Sequence, residues 1–323
     1  MKEYVLVTGG AGYIGSVVVE LLLKKGYNII VVDNLSGGNR DAVEKEALFF
    51  QEDFGDSAFL EKLFSEYKIS NVIHLAASAN VPHSIIDPLC YYQNNTAKTV
   101  SLLISMKKFN IKNIIFSSTA AVFGEPLYTP IDEEHPKIPI NPYGHSKLMI
   151  EQILKDCCIA YGINYIVFRY LCVAGATMKH GEARDHETHL IPLVISKVLN
   201  NEKSLNVYGT DFNTRDGSGI RDYFHVLDIA DAHVLAIEKA ESVKNTIFNL
   251  GNEKGHSVLE IITSAEKLFN LKIPYQIKPR REGDPAILVA KTTKAKNLLG
   301  WSAKHSLKDI LESTYYWQKN KKY

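Results

Sequence analysis

YVLVTGGAGYIG, residues 4–15, is the stretch whose reading decides the fold. An apolar run over 4–8 passes into glycines at 9, 12 and 15, and then into a helical pattern over 12–25. Nearly all apolar rather than alternating, the run reads as a strand covered on both faces. Gly9, Gly12 and Gly15 fit the turn that follows. A side chain there would block the turn itself, the approach of backbone to a pyrophosphate, and helix–strand packing. The helix N-terminus behind them offers unpaired N–H groups to phosphate. Asp33 follows the next apolar run, eighteen residues after Gly15. A carboxylate that holds a ribose diol is expected about 20 residues on. Its charge repels a 2′-phosphate, so the expected cofactor is NAD rather than NADP. Arg40 reads as a solvated loop residue.

Outward from this stretch the pattern repeats. Strands are predicted at 4–8, 28–32, 47–51, 71–74, 111–117 and 165–170, with helices at 12–25, 57–67, 96–110 and 147–161. Strands alternating with helices imply βαβ units and an α/β fold with a Rossmann-type doubly wound parallel sheet. After about residue 175 the alternation weakens. A helix over 190–200, a strand over 205–208 and a polar loop over 210–219 are expected. The chain therefore divides into a Rossmann domain over 1–175 and a smaller C-terminal α/β substrate-binding lobe over 176–323, some of whose segments return to the main sheet. The basic residues 319–323 are expected to fray.

Composition narrows the function. Lys and Arg total 37 and Asp and Glu 36, a net charge of +1. This gives no global electrostatic reason to bind nucleic acid or anionic lipid. No run reaches the roughly 18 apolar residues of a membrane span. Cys90, Cys157, Cys158 and Cys172 make no CxxC pair, so neither a metal site nor a disulfide framework is expected, and the compartment is read as reducing and cytoplasmic. A small-molecule enzyme is the class that remains.

Tyr143-Gly144-His145-Ser146-Lys147 supplies candidate chemistry. Four residues apart on a helix, Tyr143 and Lys147 share one face. A tyrosine near pKa 10 is a poor base, and a neighbouring ammonium lowers that pKa. Ser117-Ser118-Thr119 ends a predicted strand, where doubly wound sheets place ligands. A Thr119 hydroxyl there can bridge the Tyr143 oxygen and a substrate hydroxyl.

Several stretches together resemble the extended short-chain dehydrogenase/reductases, and among them the UDP-glucose 4-epimerase family. They are residues 8–16 (TGGAGYIGS), 33–35 (DNL), 71–77 (NVIHLAA), 91–95 (YYQNN), 116–124 (FSSTAAVFG), 141–148 (NPYGHSKL), 188–194 (THLIPLV), 216–226 (DGSGIRDYFHV) and 279–284 (PRREGD). The resemblance covers nearly the whole chain. It implies reversible C4 epimerisation of a UDP-hexose, UDP-glucose or UDP-galactose. Tyr143 takes the 4-OH proton, NAD takes the C4 hydride, the 4-keto sugar turns over, and hydride returns to the other face. Thr119 shares the proton path and Lys147 holds the ribose and tunes Tyr143. The cofactor site would include Tyr13, Ile14, Asn34, Asp53, Phe54, Leu75, Ala76, Ala77, Asn94, Ser117 and Tyr170, with Asp53 and Phe54 on adenine. The UDP-sugar site would include Arg221 and Arg281 on the diphosphate, Asp284 on a ribose hydroxyl, Tyr208 on uracil, and His189, Leu190, Asn206, Cys172 and Leu288. The family pairs two helices per subunit in a dimer interface, which implies a homodimer here. Leu102, Leu103, Met106, Ile150, Ile153 and Leu154 make the segments 96–110 and 147–161 apolar on more than one face.

The chain also departs from the family pattern. Leu171 and Cys172 stand where the family has Phe and Asn, and a thiol is a poor hydrogen-bond partner. Phe54 replaces an aliphatic residue. Leu288 is intermediate in size at a position expected to govern whether a 2-acetamido group fits. Ala120-Ala121 stands where a 4,6-dehydratase has Asp-Glu, which argues against dehydration. Epimerisation of another UDP sugar (N-acetylhexosamine, glucuronate or pentose) is the nearer alternative. A non-catalytic NAD-binding protein on the same fold is a remoter one.

Overall fold

Val5, Leu6, Val7 and the run Ile29–Val32 are almost wholly shielded from solvent, as runs covered on both faces must be. The computed structural model describes residues 2–184, 187–200, 204–281 and 283–323. Its first half runs β1 (Glu3–Thr8), α1 (Tyr13–Lys24), β2 (Ile29–Val32), β3 (Leu48–Phe50), α2 (Ser57–Glu66), β4 (Lys68–His74), α3 (Val81–Ile86), α4 (Pro88–Tyr91), α5 (Lys98–Lys108), β5 (Asn113–Thr119), α6 (Pro142–Tyr161) and β6 (Asn164–Tyr170). Then come β7 (Cys172–Ala174), α7 (Leu190–Asn200), β8 (Leu205–Tyr208), β9 (Ile220–Arg221), β10 (Tyr223–His225), α8 (Val226–Glu238), α9 (Ala240–Val243) and β11 (Thr246–Leu250). β12 (His256–Ser257), α10 (Val258–Phe269), β13 (Tyr275–Lys278), β14 (Ile287–Leu288) and α11 (Leu307–Lys319) complete the order.

Seven strands form one parallel sheet in the order β11-β6-β5-β4-β1-β2-β3. The chain winds outward from β1 to β3 and then resumes on the other side of β1 at β4. The crevice between β1 and β4 is thus the switch point at which such sheets bind ligands. One core packs α1 and α8 on one face of the sheet, and a second packs α2, α5 and α6 on the other. This is the three-layer α/β/α arrangement that the sequence implies.

Several predicted boundaries move. β3 is two residues shorter than expected, and β4 starts at Lys68 rather than 71. β5 runs on to Thr119. The segment 96–110 resolves into a π-helical turn, Tyr92–Ala97, leading into α5. The helix expected over 147–161 starts at Pro142, because the Asn141 side chain accepts the Gly144 N–H at 2.8 Å and proline suits the first helical position. Leu102, Leu103, Met106, Ile150 and Leu154 are buried, and Ile153 packs partly against the same core. They make the inner face of α5 and α6, not an outer one.

The second half contains a small lobe of short pairs: β7 with β10, β9 with β12 and β14, and β8 with β13. α7, α10 and α11 close its core. The chain also re-enters the main sheet, where β11 pairs with β6 from Thr246 opposite Ile166 to Leu250 opposite Tyr170. The C-terminal residues are not frayed. The Tyr323 ring packs 4.9 Å from Trp317, and its hydroxyl is 3.2 Å from His180 Nδ1.

Candidate active site

The floor of the β1–β4 crevice is all backbone. Gly9 has φ +76°, and a Cβ there would lie 2.6 Å from the Ala76 nitrogen. A Cβ at Gly15 would lie 2.1 Å from the Gly9 carbonyl oxygen. Neither obstacle is a side chain that can swing away. The Thr8 carbonyl accepts N–H groups of Leu75 (3.0 Å) and Ala76 (3.1 Å), which seals the floor. Gly12 caps α1 without a side chain, so the first-turn N–H groups at Tyr13 and Ile14 face the open end. Tyr13 Oη is committed elsewhere, donating to the Gly175 carbonyl at 2.6 Å. Space for a phosphate against bare backbone is what a dinucleotide pyrophosphate requires.

Asp33 is buried. Its Oδ2 accepts from Ala11 N at 3.0 Å and its Oδ1 from Leu35 N at 2.9 Å. Burial raises its pKa, and these two donors oppose the rise. Two N–H bonds leave lone pairs free for a diol. Exposed Asn34 reaches Asp53 at 3.3 Å. The Asp53 carboxylate takes Lys98 Nζ at 2.6 Å and Gly55 N at 2.8 Å. Burial pushes the Asp53 pKa up, but Lys98 and the N–H donors prevail and hold it low. Lys98 also donates to Asn94 at 3.1 Å, and Asn94 donates to Ser78 Oγ at 3.1 Å. Phe54 is buried 4.9 Å from the His74 ring. Half-buried Leu75, Ala76 and Ala77 continue the wall.

Lys147 is 2% exposed, and its Nζ donates to the Ser117 carbonyl at 2.8 Å. Burial drives its pKa down to about 7, with Glu151 opposing. Tyr143, in the first turn of α6, is half-buried with the Tyr91 ring edge-on at 6.4 Å. Burial raises its pKa, while the Thr119 hydroxyl and the Arg184 guanidinium favour the phenolate. Thr119 Oγ1 accepts from Ala121 N at 3.1 Å, so its own proton points elsewhere. Tyr170 ends β6, buried, with Oη 2.9 Å from His233 Nε2 and the Ser117 hydroxyl beside it. Ser117, Thr119, Tyr143, Lys147 and Tyr170 therefore meet at the C-terminal edge of β5 and β6.

A charged group stands in the small lobe. Arg221 Nη2 and Arg281 Nε each lie 3.5 Å from the Asp284 carboxylate. Arg221 Nη1 also donates to the Pro285 carbonyl at 2.8 Å. The Arg281 guanidinium lies 4.3 Å over the Tyr208 ring. Two fixed cations against one carboxylate leave a net positive charge suited to a diphosphate. Leu288 sits in register with Arg221 in the β14–β9 pair. Burial pushes the Cys172 thiol up to about 11, and Arg221 pulls the other way. Cys172 therefore faces the same group as an unreactive thiol.

The remaining expected residues are looser. Exposed Asn206 lies on β8 in register with Gln276. Leu190 opens α7. His189 Nδ1 is 2.6 Å from Glu187 and its Nε2 is 3.4 Å from Arg184, the cation that acts on Tyr143. Among the described residues no hydrogen bond or ion pair joins these three to Arg221 or Arg281. Two groups of acids with a histidine stand close, Glu20–Glu44–His180 and Glu182–Glu187–His189. In the first, Lys24 (2.6 Å) and Lys179 (2.8 Å) already neutralise the carboxylates. Among the described residues no helix is long and apolar enough to cross a membrane.

Sequence reasoning passed over Lys98, Asn95 and Glu151. Asn95, buried in the π-helical turn, donates to Ser146 Oγ at 3.1 Å and to the Ser78 carbonyl at 3.0 Å, and accepts from Ser78 N at 2.8 Å. It thereby ties the helix of Tyr143 to the loop after β4. Its signal is weak, a second asparagine beside Asn94. Glu151 repeats the four-residue step from Tyr143 to Lys147, which was readable.

Residues 5–251 match the model of the NAD dependent epimerase/dehydratase family. The chain is 43% identical over 320 residues to the UDP-glucose 4-epimerase of Lacticaseibacillus casei, spanning 98% of this chain and 97% of that one. It is 44% identical over 319 residues to that of Halalkalibacterium halodurans, spanning 98% and 95%. The crystal structure of UDP-glucose 4-epimerase from Bifidobacterium longum in complex with NAD+ and UDP superposes with a TM-score of 0.93 at 40% identity, over 98% of each chain.

Proposed function

Because the chain belongs to the NAD dependent epimerase/dehydratase family, we propose that it reversibly interconverts UDP-glucose and UDP-galactose by inverting C4 of the hexose. The observation that carries this reading is the meeting of Tyr143, Lys147 and Thr119 at the sheet edge, between a glycine-floored crevice and the Arg221–Arg281 group. The crevice fits NAD: bare backbone for the pyrophosphate and a buried carboxylate for a ribose diol. When bound there, NAD supplies a reversible hydride acceptor for the sugar.

The chain's own residues supply the rest. Tyr143 Oη removes the proton from the 4-OH and returns it, so no net redox change results. The Lys147 ammonium lowers the pKa that burial raises. Thr119 Oγ1, whose oxygen is already bonded to Ala121 N, turns its proton toward the Tyr143 oxygen or the sugar. Arg221 and Arg281 grip the diphosphate bidentately, Asp284 takes a ribose hydroxyl and Tyr208 offers a face to uracil. Gripping the nucleotide rather than the hexose leaves the sugar free to turn between its two faces. The test is purified protein incubated with a panel of UDP sugars and no added NAD. C4 inversion of UDP-glucose is expected, and none with any UDP sugar overturns the reading.

Cys172 and Leu288, both against the Arg221 group, favour a second reading in which the hexose is another UDP sugar. The same panel separates the two. Ile104 on α5 and Met149 on α6 are 58% and 46% exposed, which supports a homodimer formed through the outer faces of these helices. Four free thiols support a reducing, cytoplasmic setting.

A further inference from the structure

Glu151 lies one turn beyond Lys147 and two beyond Tyr143, so the three side chains rise along one face of α6. Glu151 and Arg169 form an ion pair whose side chains are 1% and 2% exposed. Arg169 meets the carboxylate with two donors, Nε at 3.0 Å and Nη2 at 2.6 Å. Ser118 Oγ donates to it at 2.6 Å. Ser118 is the residue between Ser117, whose carbonyl takes the Lys147 ammonium, and Thr119. A buried pair of this kind is weak evidence for stability, because desolvation offsets most of the attraction. A buried ammonium bonded to one neutral carbonyl does need a counter-charge.

We propose that Glu151 is a positioning residue whose carboxylate keeps Lys147 protonated, with Arg169 fixing that carboxylate and moderating its charge. Lys147 shares its helix face with Tyr143 and Glu151 and acts on His74 of β4, and its Nζ lies 4.8 Å over the Phe116 ring of β5; Arg169 of β6 stands beyond, on Glu151. Burial and the Lys147 charge hold His74 down to about 3, so it is neutral. Glu151 also acts on Lys137 and Tyr165. The Glu133 carbonyl takes Arg169 Nη1 at 3.3 Å, while the Glu133 carboxylate holds Asn249 N at 2.8 Å. The charges beside the ammonium are thus Glu151 and, behind it, Arg169. Removing the carboxylate takes away the charge that opposes burial, and Lys147 then sheds its proton at lower pH. Removing the arginine leaves the carboxylate uncompensated, and the proton is held to higher pH.

The test titrates the Lys147 amine by heteronuclear NMR in lysine-labelled holoenzyme, with the signal assigned by Lys147→Arg. In Glu151→Gln the midpoint should fall by about one pH unit or more, the scale of losing an opposite charge nearby. In Arg169→Gln it should rise, and in the double variant it should return toward the parent. An unchanged or raised midpoint in Glu151→Gln overturns the proposal. If that variant does not fold, a fallen or unchanged midpoint in Arg169→Gln overturns it equally. The proposal rests on reading Tyr143 and Lys147 as the proton-moving pair, under which the alkaline limb of kcat follows the lysine while KM for the UDP sugar stays. A lysine midpoint that moves while this limb stays supports the proposal and overturns that reading of Lys147 instead.

Discussion

Tyr143 and Lys147 are paired through opposing effects of burial. Burial makes the phenol a weaker acid and the ammonium a stronger one; the Thr119 hydroxyl and the Arg184 guanidinium favour the phenolate, and Glu151 favours the ammonium. Tyr143→Phe keeps the ring against Tyr91 and removes the oxygen. Turnover should drop by at least about 10²–10⁴-fold while NAD content, read by absorbance after denaturation, stays at the parental level. Near-parental turnover would place the base elsewhere. Lys147 also imposes a pH dependence on folding. Its folded pKa of about 7 lies below the ordinary lysine value. Between the two the unfolded chain binds the extra proton, so stability contributed at this site rises with pH across that window. In nucleotide-free protein, the parent should gain stability relative to Lys147→Met as pH climbs from about 7 to about 10. Denaturant melts of both proteins at several pH values check this, and a gap that stays constant refutes it.

The first βα turn is an element without tolerance, because its parts touch through main chain. Gly15→Ala pushes a methyl into the Gly9 carbonyl. It should displace the start of α1, strip NAD from the purified protein and lower the melting temperature. Retention of NAD at the parental level would show that the turn can relax. This element was legible in the sequence, since Gly9 and Gly15 answer a local steric need, Gly12 leaves the helix N-terminus bare, and Asp33 stands at the expected remove. Continuous apolar runs likewise announced the inner strands. The start of α6 was missed by five residues, although Asn141 and Pro142 spell a helix N-terminus in their own chemistry. The π-helical turn at Tyr92–Ala97 was not legible, because one extra residue in a turn leaves no clear mark on hydrophobic spacing. Of the charged group in the lobe, the arginines could be named but not joined. Arg221 and Arg281 share Asp284 only because short strands far apart in sequence come together, and no spacing rule reaches that far.

At the scale of the whole molecule, the outer apolar residues and the path of the chain both have consequences. Ile104→Glu together with Met149→Glu places charges on the outer faces of α5 and α6 without touching the buried side. Light scattering on a sizing column should then report a monomer where the parent gives a dimer; an unaltered mass would move the interface elsewhere. The chain's return through β11 matters for anyone who would cut it. The lobe is interleaved with the sheet rather than hung from its end: α7, β8, β9 and β10 precede β11 on the flank of β6, and β12, α10, β13, β14 and α11 follow it. A fragment stopped at residue 175 would therefore keep every glycine of the crevice yet bare the hydrogen-bonding edge of β6 along its whole length. Such an edge recruits other copies of itself. The fragment should accumulate as inclusion bodies, whereas a chain stopped after β11 at residue 251, which keeps α8 on the sheet and β11 on β6, should leave a larger share in the supernatant.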